Sequence, residues 1–185
     1  KDIDLLVSQA KRCGEILKKI SKKQIIEDQF FKKTKLEDLL DEIIISFKET
    51  SSKKISLISK DNNNIFNFQR TPELIYGLRN FIGNAVKFSK STVEIVLIST
   101  NQSIQIKIND DGPGFPEDIK EIIGEPYIKS KSSQVSSNSG TGLGTFLGKT
   151  LLERQSANLE FMKDIKLGGA SVVISWNTNN LQINA

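Results

Sequence analysis

The sequence predicts an α+β protein: a two-layer α/β sandwich, with one face of a mixed sheet covered by helices, preceded by a single coiled-coil-like helix. Three observations carry this prediction. Apolar residues recur at alternating steps of three and four near the start of the chain, and strand-like and helix-like segments alternate after residue 23. Three polar, glycine-bearing segments recur in a fixed order: one inside a helix-like segment, one at the end of a strand-like run and one at the start of a helix-like stretch. Together they predict two units, residues 1–22 and 23–178, and a C-terminal tail at 179–185.

The first unit, residues 1–22, has the apolar pattern of one helix in a coiled coil. Its seam consists of Ile3, Leu6, Ala10, Cys13, Leu17 and Ile20. Such a seam needs a partner helix; the alternative is a helix that packs on its own domain. Cys13 is the only cysteine, so the chain forms no internal disulfide, which suits a reducing compartment.

The second unit alternates between strand and helix periodicity. The predicted elements, in chain order, are a strand at 29–32, a helix at 36–50, strands at 55–59 and 65–68, a helix at 72–89, strands at 92–100 and 103–109, a helix at 145–155, and strands at 157–164 and 169–176. Residues 129–139 are rich in Ser and Lys and have no apolar periodicity, which predicts a mobile loop.

The helix at 72–89 carries a polar stripe in addition to its apolar face. Asn80, Asn84 and Lys87 are spaced i, i+4 and i+7, which places them on one side of the helix. An amide oxygen is a hard, uncharged ligand suited to Mg²⁺ that is shared with substrate phosphates, and a lysine meets a phosphate as a point charge. The alternative is an ordinary solvated face. The core-facing stripe is predicted to consist of Leu74, Leu78, Phe81, Ile82, Ala85 and Val86.

A second polar segment, Asp110-Asp111-Gly112-Pro113-Gly114, follows the strand at 103–109. A carboxylate just past the end of a strand can accept a hydrogen bond from an exocyclic amine, while Gly112 and Gly114 let the backbone approach a flat ring. We expect Asp110 to lie outside the packed core. The alternative is an ordinary turn, because Asp-Gly and Pro-Gly pairs are common turn sequences.

The third segment, Gly140-Thr141-Gly142-Leu143-Gly144, precedes the helix at 145–155. Backbone N–H groups at the start of a helix bind anions, and glycines remove the Cβ atoms that would block phosphates. The segment is not a Walker A loop, because no Lys-Ser/Thr pair follows its last glycine. It predicts phosphate binding by backbone groups.

In this order the three segments resemble the N, G1 and G2 boxes of the histidine-kinase-type ATP-binding domain, whose Bergerat fold is shared with gyrase, Hsp90 and MutL ATPases. The resemblance covers roughly residues 22–178. Glu125-Pro126-Tyr127-Ile128-Lys129 resembles a partial F box, with Tyr127 where Phe is usual. Within the family, residues 124–131 and 140–161 look closest to the RegB/PrrB/ActS group of redox-responding sensor kinases.

The resemblance implies ATP and Mg²⁺ as ligands. Asn84 would coordinate Mg²⁺, and Asp110 would contact the adenine amine. Asn80 and Lys87, which are also expected to bind nucleotide, are the candidate catalytic residues. The further candidates for nucleotide binding are Phe88, Gly112, Gly114, Tyr127, Lys129, Lys131, Gly140, Thr141, Gly142, Leu143 and Gly144.

Two positions depart from the pattern of related proteins. Hydrolysing relatives carry a Glu four residues before the Mg-binding Asn, whereas this chain has Asn80, and an amide does not accept a proton from water at neutral pH. The difference favours phosphoryl transfer to a protein side chain over ATP hydrolysis. Ala170 follows Gly168-Gly169 where many relatives carry Thr or Ser to hold a water near the adenine, which weakens adenine binding unless other groups hold that water.

The resemblance therefore predicts the ATP-binding catalytic domain of a two-component sensor histidine kinase, which passes the γ-phosphoryl group to a His outside this sequence and then to an Asp of a response regulator. The sequence contains no His, so we expect a fragment that lacks the phosphoacceptor helix; a degenerate kinase is the alternative. A non-catalytic nucleotide-sensing or scaffold module and a gyrase-like or MutL-like ATPase are two further hypotheses.

Composition bounds the remaining classes of function. The net charge of +4 is mild and both signs are interleaved, so no nucleic-acid-binding surface is expected. No apolar stretch is long enough to span a bilayer, so no membrane contact is expected from these residues. The resemblance implies that residues 1–22 are part of the second helix of a dimerisation and histidine-phosphotransfer hairpin in a homodimer. It implies that the chain is a cytoplasmic domain of an inner-membrane sensor. It also implies a redox role for Cys13 through an intermolecular disulfide; packing in the helical seam is the alternative.

Overall fold

The computed structural model of the chain describes residues 33–61, 67–117, 122–125 and 143–178. These residues form one two-layer α/β unit. Several predicted features lie outside the described residues: the helix at 1–22 with Cys13, the strand at 29–32, the loop at 129–139 with Lys131, the F-box residues Tyr127 and Lys129, the loop residues Gly140, Thr141 and Gly142, and the tail at 179–185.

The described elements alternate between strand and helix, as the sequence predicts. In chain order they are β1 (Lys33–Lys35), α1 (Leu36–Lys48), β2 (Lys54–Asp61), β3 (Asn67–Gln69), α2 (Pro72–Phe88), β4 (Thr92–Ser99), β5 (Ser103–Asp110), α3 (Leu143–Glu153), β6 (Asn158–Lys163) and β7 (Ala170–Asn177). Five strands form a mixed sheet in the order β2-β4-β5-β7-β6, and β1 pairs with β3 in a separate sheet. Only the β2–β4 pair of the larger sheet is parallel.

The hydrophobic core lies between the helices and one face of the five-stranded sheet. Alternate residues of the central strands point into it, and the cross-strand neighbours Ile106 and Ile174 are fully buried. Burial of an aliphatic side chain of this size contributes about 1.5–3 kcal/mol. All six residues of the predicted core stripe of α2 are buried, which confirms the stripe and the two-layer α/β sandwich.

Helix α2 has a start and an end that local interactions fix. The Thr71 hydroxyl accepts a hydrogen bond from the Leu74 N–H at 3.1 Å, and Pro72 occupies the first turn, where its missing N–H is not needed. The helix ends at Phe88, and the backbone of Ser89 is extended, with ψ at 151°. The chain therefore turns at the end of α2 and enters β4.

Helices α2 and α3 approach closely because glycines lie at their contact. A Cβ atom at Gly77 would stand 2.6 Å from the Leu152 Cγ, and one at Gly148 would stand 3.0 Å from the Asn80 Cβ. Leu152 is completely buried between the two layers. This packing places the N-terminal end of α3 beside the polar face of α2.

Three predicted boundaries near the polar segments are wrong. Asp110 is the last residue of β5, paired with Val93, and does not follow the strand. Helix α3 begins at Leu143, so Leu143 and Gly144 belong to its first turn and not to a preceding loop, and α2 ends one residue earlier than predicted. The starts of α1, α2, β4 and β5 match the prediction, the remaining ends of the predicted elements differ by one or two residues, and β1 was not predicted. Strand pairing and contacts between helices determine these ends, and the apolar periodicity of the sequence carries no information about either.

Candidate functional site

Asp110 is a buried carboxylate at the C-terminal end of β5, only 4% exposed. Its Oδ1 accepts hydrogen bonds from the N–H groups of Gly112 at 2.8 Å and Ala170 at 3.2 Å. Its backbone carbonyl accepts the Gly169 N–H at 3.1 Å. The expectation that Asp110 lies outside the packed core is therefore wrong, because two loops and the strand end enclose it.

The surroundings of Asp110 disfavour its charge. Burial raises the pKa of this carboxyl group, the bonds from Gly112 and Ala170 lower it in part, and the negative charges of Asp111 and Asp164 raise it further. The net effect is a pKa above the ordinary value of an aspartate. Little water reaches this carboxylate, so a hydrogen bond that a ligand donates to it would be strong.

Glycines make room for the backbone on both sides of Asp110. A Cβ atom at Gly169 would lie 2.4 Å from the Asp110 Oδ1, and one at Gly112 would lie 2.4 Å from the carbonyl oxygen of Phe88. Gly114 has a φ of +79°, which side-chain-bearing residues rarely adopt. The main chain of the loop at 110–114 and that of the β6–β7 turn therefore contact each other directly. The approach of Gly112 and Gly114 to a flat ring stays a prediction.

The amides of the polar stripe lie next to the first turn of α3. The Asn84 Nδ2 donates to the Thr145 hydroxyl at 3.3 Å, and the Asn80 Nδ2 donates to the Tyr76 carbonyl at 2.8 Å. The amide oxygens lie 3.4 Å (Asn80) and 4.0 Å (Asn84) from the position that a Cβ of Gly144 would take. The structure thus brings Asn80, Asn84 and Gly144 together, and a side chain at position 144 would lie next to both amide oxygens.

Lys87 and Phe88 lie at the exposed C-terminal end of α2. The Lys87 Nζ stands 5.1 Å from the centroid of the Phe88 ring, and this ring is 46% exposed. Among the described residues, the structure gives the Lys87 ammonium no bond to Asn80, Asn84 or Asp110. Lys87 thus lies on the same helix as Asn80 and Asn84, at the predicted spacing, but within the described residues it makes no hydrogen bond to either of them or to Asp110.

The side chains around Asn84 fit a magnesium ion that is held mainly by a nucleotide. The Asn84 nitrogen is engaged with Thr145, which leaves the uncharged oxygen as the atom that faces Gly144. In the described part of the chain, no group of three or more His, Cys, Asp or Glu side chains is placed to hold a metal ion by itself. Mg²⁺ bound through phosphates needs only one or two protein oxygens and keeps several waters.

Sequence reasoning missed the residues that hold the site together. The glycine-loop pattern assigns no role to Asp111, yet this carboxylate binds the turn at 90–92 through four donors. Lys53 donates to the carbonyls of Ser89 and Lys90. The pair of Asp residues before Gly112 could have indicated a role for Asp111. No sequence pattern indicates that Lys53 reaches the end of α2, 36 residues further along the chain.

The predicted site residues Tyr127, Lys129, Lys131, Gly140, Thr141, Gly142 and Cys13 lie outside the described residues. None of the helices in the described ranges is both long and apolar enough to cross a membrane.

A comparison with known protein families matches the part of the chain that contains the site. Residues 70–179 match the family described as histidine kinase-, DNA gyrase B-, and HSP90-like ATPase. The match contains Asn80, Asn84, Asp110 and Gly144.

Two curated relatives are sensor histidine kinases. RegB of Cereibacter sphaeroides is 46% identical over 97 residues, which are 50% of this chain and 21% of RegB. CpxA of Escherichia coli is 28% identical over 116 residues, which are 58% of this chain and 25% of CpxA. The chain thus spans about a fifth to a quarter of the length of these relatives. The RegB match confirms the expected likeness to that group of kinases.

Solved structures with the same fold include two mycobacterial proteins. The sensor histidine kinase MprB superposes with a TM-score of 0.67 at 18% identity, over 79% of this chain and 97% of that one. The ATP-binding domain of PrrB from Mycobacterium tuberculosis superposes with a TM-score of 0.59 at 22% identity, over 76% of this chain and 92% of that one. These similarities confirm the histidine-kinase-type fold.

Proposed function

Because this chain belongs to the histidine kinase-, DNA gyrase B-, and HSP90-like ATPase family, we propose that it is the Mg-ATP-binding catalytic domain of a two-component sensor histidine kinase. The observation that carries the proposal is the Asp110 carboxylate, buried at a strand end between two glycine loops and oriented by two backbone N–H groups. The names of RegB and CpxA, both sensor histidine kinases, support the choice of kinase over the other activities of the family.

Asp110 recognises the adenine. Its Oδ1 is held by Gly112 and Ala170, so the other carboxylate oxygen accepts a hydrogen bond from the exocyclic amine. Gly112 and Gly169 let the main-chain segments around Asp110 come together, and Gly114 is the glycine proposed to let the flat ring approach the main chain. Ala170 offers no hydroxyl, and its backbone N–H supports the carboxylate directly. Phe88 and Tyr127 remain candidates for nucleotide binding.

Asn80 and Asn84 face the phosphates from α2, and the first turn of α3 faces them from the other side. Backbone N–H groups of Leu143, Gly144 and the preceding residues Gly140, Thr141 and Gly142 bind phosphate oxygens. Lys87, Lys129 and Lys131 add positive charge. When bound, Mg²⁺ neutralises phosphate charge, and the oxygen of Asn84 is the protein ligand that would hold it.

The γ-phosphoryl group passes to a histidine outside this sequence, which itself contains none. The bond between the γ-phosphorus and the bridging oxygen of ADP breaks, a phosphorus–nitrogen bond to the imidazole forms, and ADP leaves. The group then moves to an Asp of a response regulator. Asn80 is a positioning amide here, because a neutral amide cannot serve as the base that water attack requires.

The rest of the expected organisation follows from the same proposal. Residues 1–22 are part of the second helix of a dimerisation and histidine-phosphotransfer hairpin in a homodimer, residues 23–178 form the catalytic domain, and Cys13 in the helical seam is the candidate redox residue. The domain works on the cytoplasmic side of an inner-membrane sensor.

The test combines binding and transfer. Calorimetry should detect Mg-ATP binding that disappears in Asp110→Ala, and radiolabelled ATP should phosphorylate a separately supplied dimerisation hairpin that carries a histidine. Binding without transfer to several such hairpins would instead support a nucleotide-sensing module. Multiple-turnover release of phosphate without a hairpin would support a hydrolysing ATPase.

A further inference from the structure

Asp111 makes a dense set of hydrogen bonds for a partly exposed carboxylate. Its Oδ1 accepts the N–H groups of Lys90 at 2.8 Å, Ser91 at 3.0 Å and Thr92 at 3.1 Å, and its Oδ2 accepts the Ser91 hydroxyl at 2.6 Å. Its own N–H donates to the Thr92 carbonyl at 3.2 Å. One residue therefore holds three consecutive residues of the turn that joins α2 to β4.

The same turn is held from its carbonyl side. The Lys53 ammonium donates to the Lys90 carbonyl at 2.8 Å and also to the carbonyl of Ser89. Burial alone would raise the pKa of Asp111, but the bonds from Ser91, Thr92 and Lys90 outweigh it and keep the pKa well below its usual range. Asp111 is thus ionised at neutral pH, and a charged acceptor and a charged donor fix the turn together.

Asp111 is joined to the recognition carboxylate through the chain itself, because it stands between Asp110 and Gly112. The Gly112 N–H orients the Asp110 Oδ1 at 2.8 Å. Gly112 also lies so close to the end of α2 that a Cβ there would meet the Phe88 carbonyl oxygen at 2.4 Å. While Asp111 is hydrogen-bonded to the turn, Gly112 remains in contact with the end of α2, and its N–H remains hydrogen-bonded to the Asp110 carboxylate.

We propose that Asp111 is a positioning residue for adenine recognition, which anchors the loop at 110–114 on the turn at 90–92 and thereby orients the Asp110 carboxylate. The inference rests on the proposed function, since it assumes that Asp110 accepts a hydrogen bond from the adenine amine. Asp111 acts through Gly112 and does not touch the nucleotide. Substitution of Asp111 therefore weakens the contribution of the adenine amine to nucleotide affinity more than it weakens the contribution of the phosphates.

The test compares two nucleotides that differ at the recognised group. ATP carries an amine on its ring, whereas inosine triphosphate carries a carbonyl oxygen at that position, which cannot donate to a carboxylate. We expect the wild-type domain to bind ATP at least about tenfold more tightly than inosine triphosphate, since a charged hydrogen bond is at stake. In Asp111→Ala this ratio should fall to about two or less, with weaker ATP binding and nearly unchanged binding of inosine triphosphate.

Two further variants separate positioning from stability. Asp111→Asn keeps an oxygen that can accept the backbone N–H groups, so its ratio should lie between those of the wild type and Asp111→Ala. Glu42, on α1, is another paired carboxylate and binds Arg70 at 2.6 Å. Glu42→Ala should leave the ratio of the two affinities at the wild-type value, even where it lowers the melting temperature. All affinities are compared at a temperature where each variant is fully folded, as circular dichroism reports.

Each outcome decides between these roles. A wild-type ratio of about ten that persists in Asp111→Ala overturns the positioning role and leaves the proposed function intact. A wild-type ratio near one overturns the assignment of Asp110 and, with it, this inference. If Asp111→Ala weakens ATP and inosine triphosphate equally, Asp111 is only a structural residue and the inference is also wrong.

Discussion

The two ends of the candidate site are held in place by different parts of the protein. At the proposed adenine end, Asp110 is 4% exposed, and backbone N–H groups of Gly112 and Ala170 orient it. At the proposed phosphate end, Asn80 and Asn84 are partly exposed side chains on a helix surface, and within the described residues the amide nitrogen of each donates one hydrogen bond.

This difference predicts how each end tolerates change. Substitution at the adenine end disturbs buried main-chain groups, so binding and folding stability should fall together. Substitution at the phosphate end removes a partly exposed amide group on a helix surface, so binding should fall while stability is kept. Substitutions at both ends and a pH titration test this contrast, and the largest effect is expected at Gly169.

Gly169→Ala should disrupt the adenine end most strongly. The new Cβ would lie 2.3 Å from the Asp110 carbonyl oxygen and 2.5 Å from the Gly112 nitrogen, so the backbone must move. We expect a loss of about 3 kcal/mol in the free energy of unfolding, at the upper end of overpacking effects, together with loss of ATP binding. Urea denaturation and calorimetry measure the two quantities.

Gly168→Ala is the matched control for this change. Gly168 has a φ of +84°, but no atom lies within 4 Å of the position that its Cβ would take, so alanine there introduces only backbone strain, about 1–2 kcal/mol. ATP binding should persist in the folded protein. Equal effects of the two substitutions would contradict the close approach of Gly169 to Asp110.

Asp110→Ala and Asn84→Ala should both abolish Mg-ATP binding but differ in stability. Asp110→Ala leaves the buried N–H groups of Gly112 and Ala170 without their acceptor, which costs about 1–3 kcal/mol. Asn84→Ala removes one long bond to Thr145 on a partly exposed surface and should change the free energy of unfolding by less than about 1 kcal/mol. Thermal unfolding without nucleotide provides the comparison, and a stability loss in Asn84→Ala as large as that of Asp110→Ala would remove the contrast.

The neighbours Asp110 and Asp111 should respond to pH in opposite directions. The folded pKa of Asp110 lies above the ordinary value of 3.8, so the stability it contributes is fully present below that value and is lost as pH rises through the folded pKa. The pKa of Asp111 is lowered, so its contribution is present above 3.8 and is lost as pH falls through the folded pKa.

Urea denaturation from about pH 2.5 to pH 7 tests this opposition. The stability of the wild type relative to Asp110→Asn should decline with rising pH, and its stability relative to Asp111→Asn should increase. If both stability differences changed with pH in the same direction, Asp110 and Asp111 would not have the opposite pKa shifts that their surroundings in the structure imply.

The smallest effect is expected far from both ends. Glu42 and Arg70 form a bidentate ion pair at 2.6 Å on α1 and the segment before α2, and the Glu42 side chain is 59% exposed. Glu42→Ala should lower the free energy of unfolding by about 0.2–1 kcal/mol, since water screens exposed pairs. Mg-ATP affinity should not change, and a change in affinity would mean that the packing of α1 influences the site.

Much of the fold was visible in the sequence because its signals are local. The apolar stripe of α2 repeats with helical spacing, and all six of its predicted members are buried. Alternating isoleucines in β5 indicate a strand with one buried face, which the structure confirms at Ile104, Ile106 and Ile108. The strand order β2-β4-β5-β7-β6 was not predicted, since pairing joins segments that are distant in the chain.

For the site, the order of residues along the chain was enough to identify the groups proposed to carry the chemistry. The amides of Asn80 and Asn84 share a helix face because their spacing requires it, and Asp110 stands near glycines because these follow it in the chain. Three features came from the folded structure alone: the burial of Asp110, the close approach of Gly169 from the β6–β7 turn, and the bonds from Asp111 and Lys53 that fix the end of α2. Periodicity and turn chemistry act over a few residues, whereas burial and hydrogen-bond partners are supplied by segments dozens of residues away.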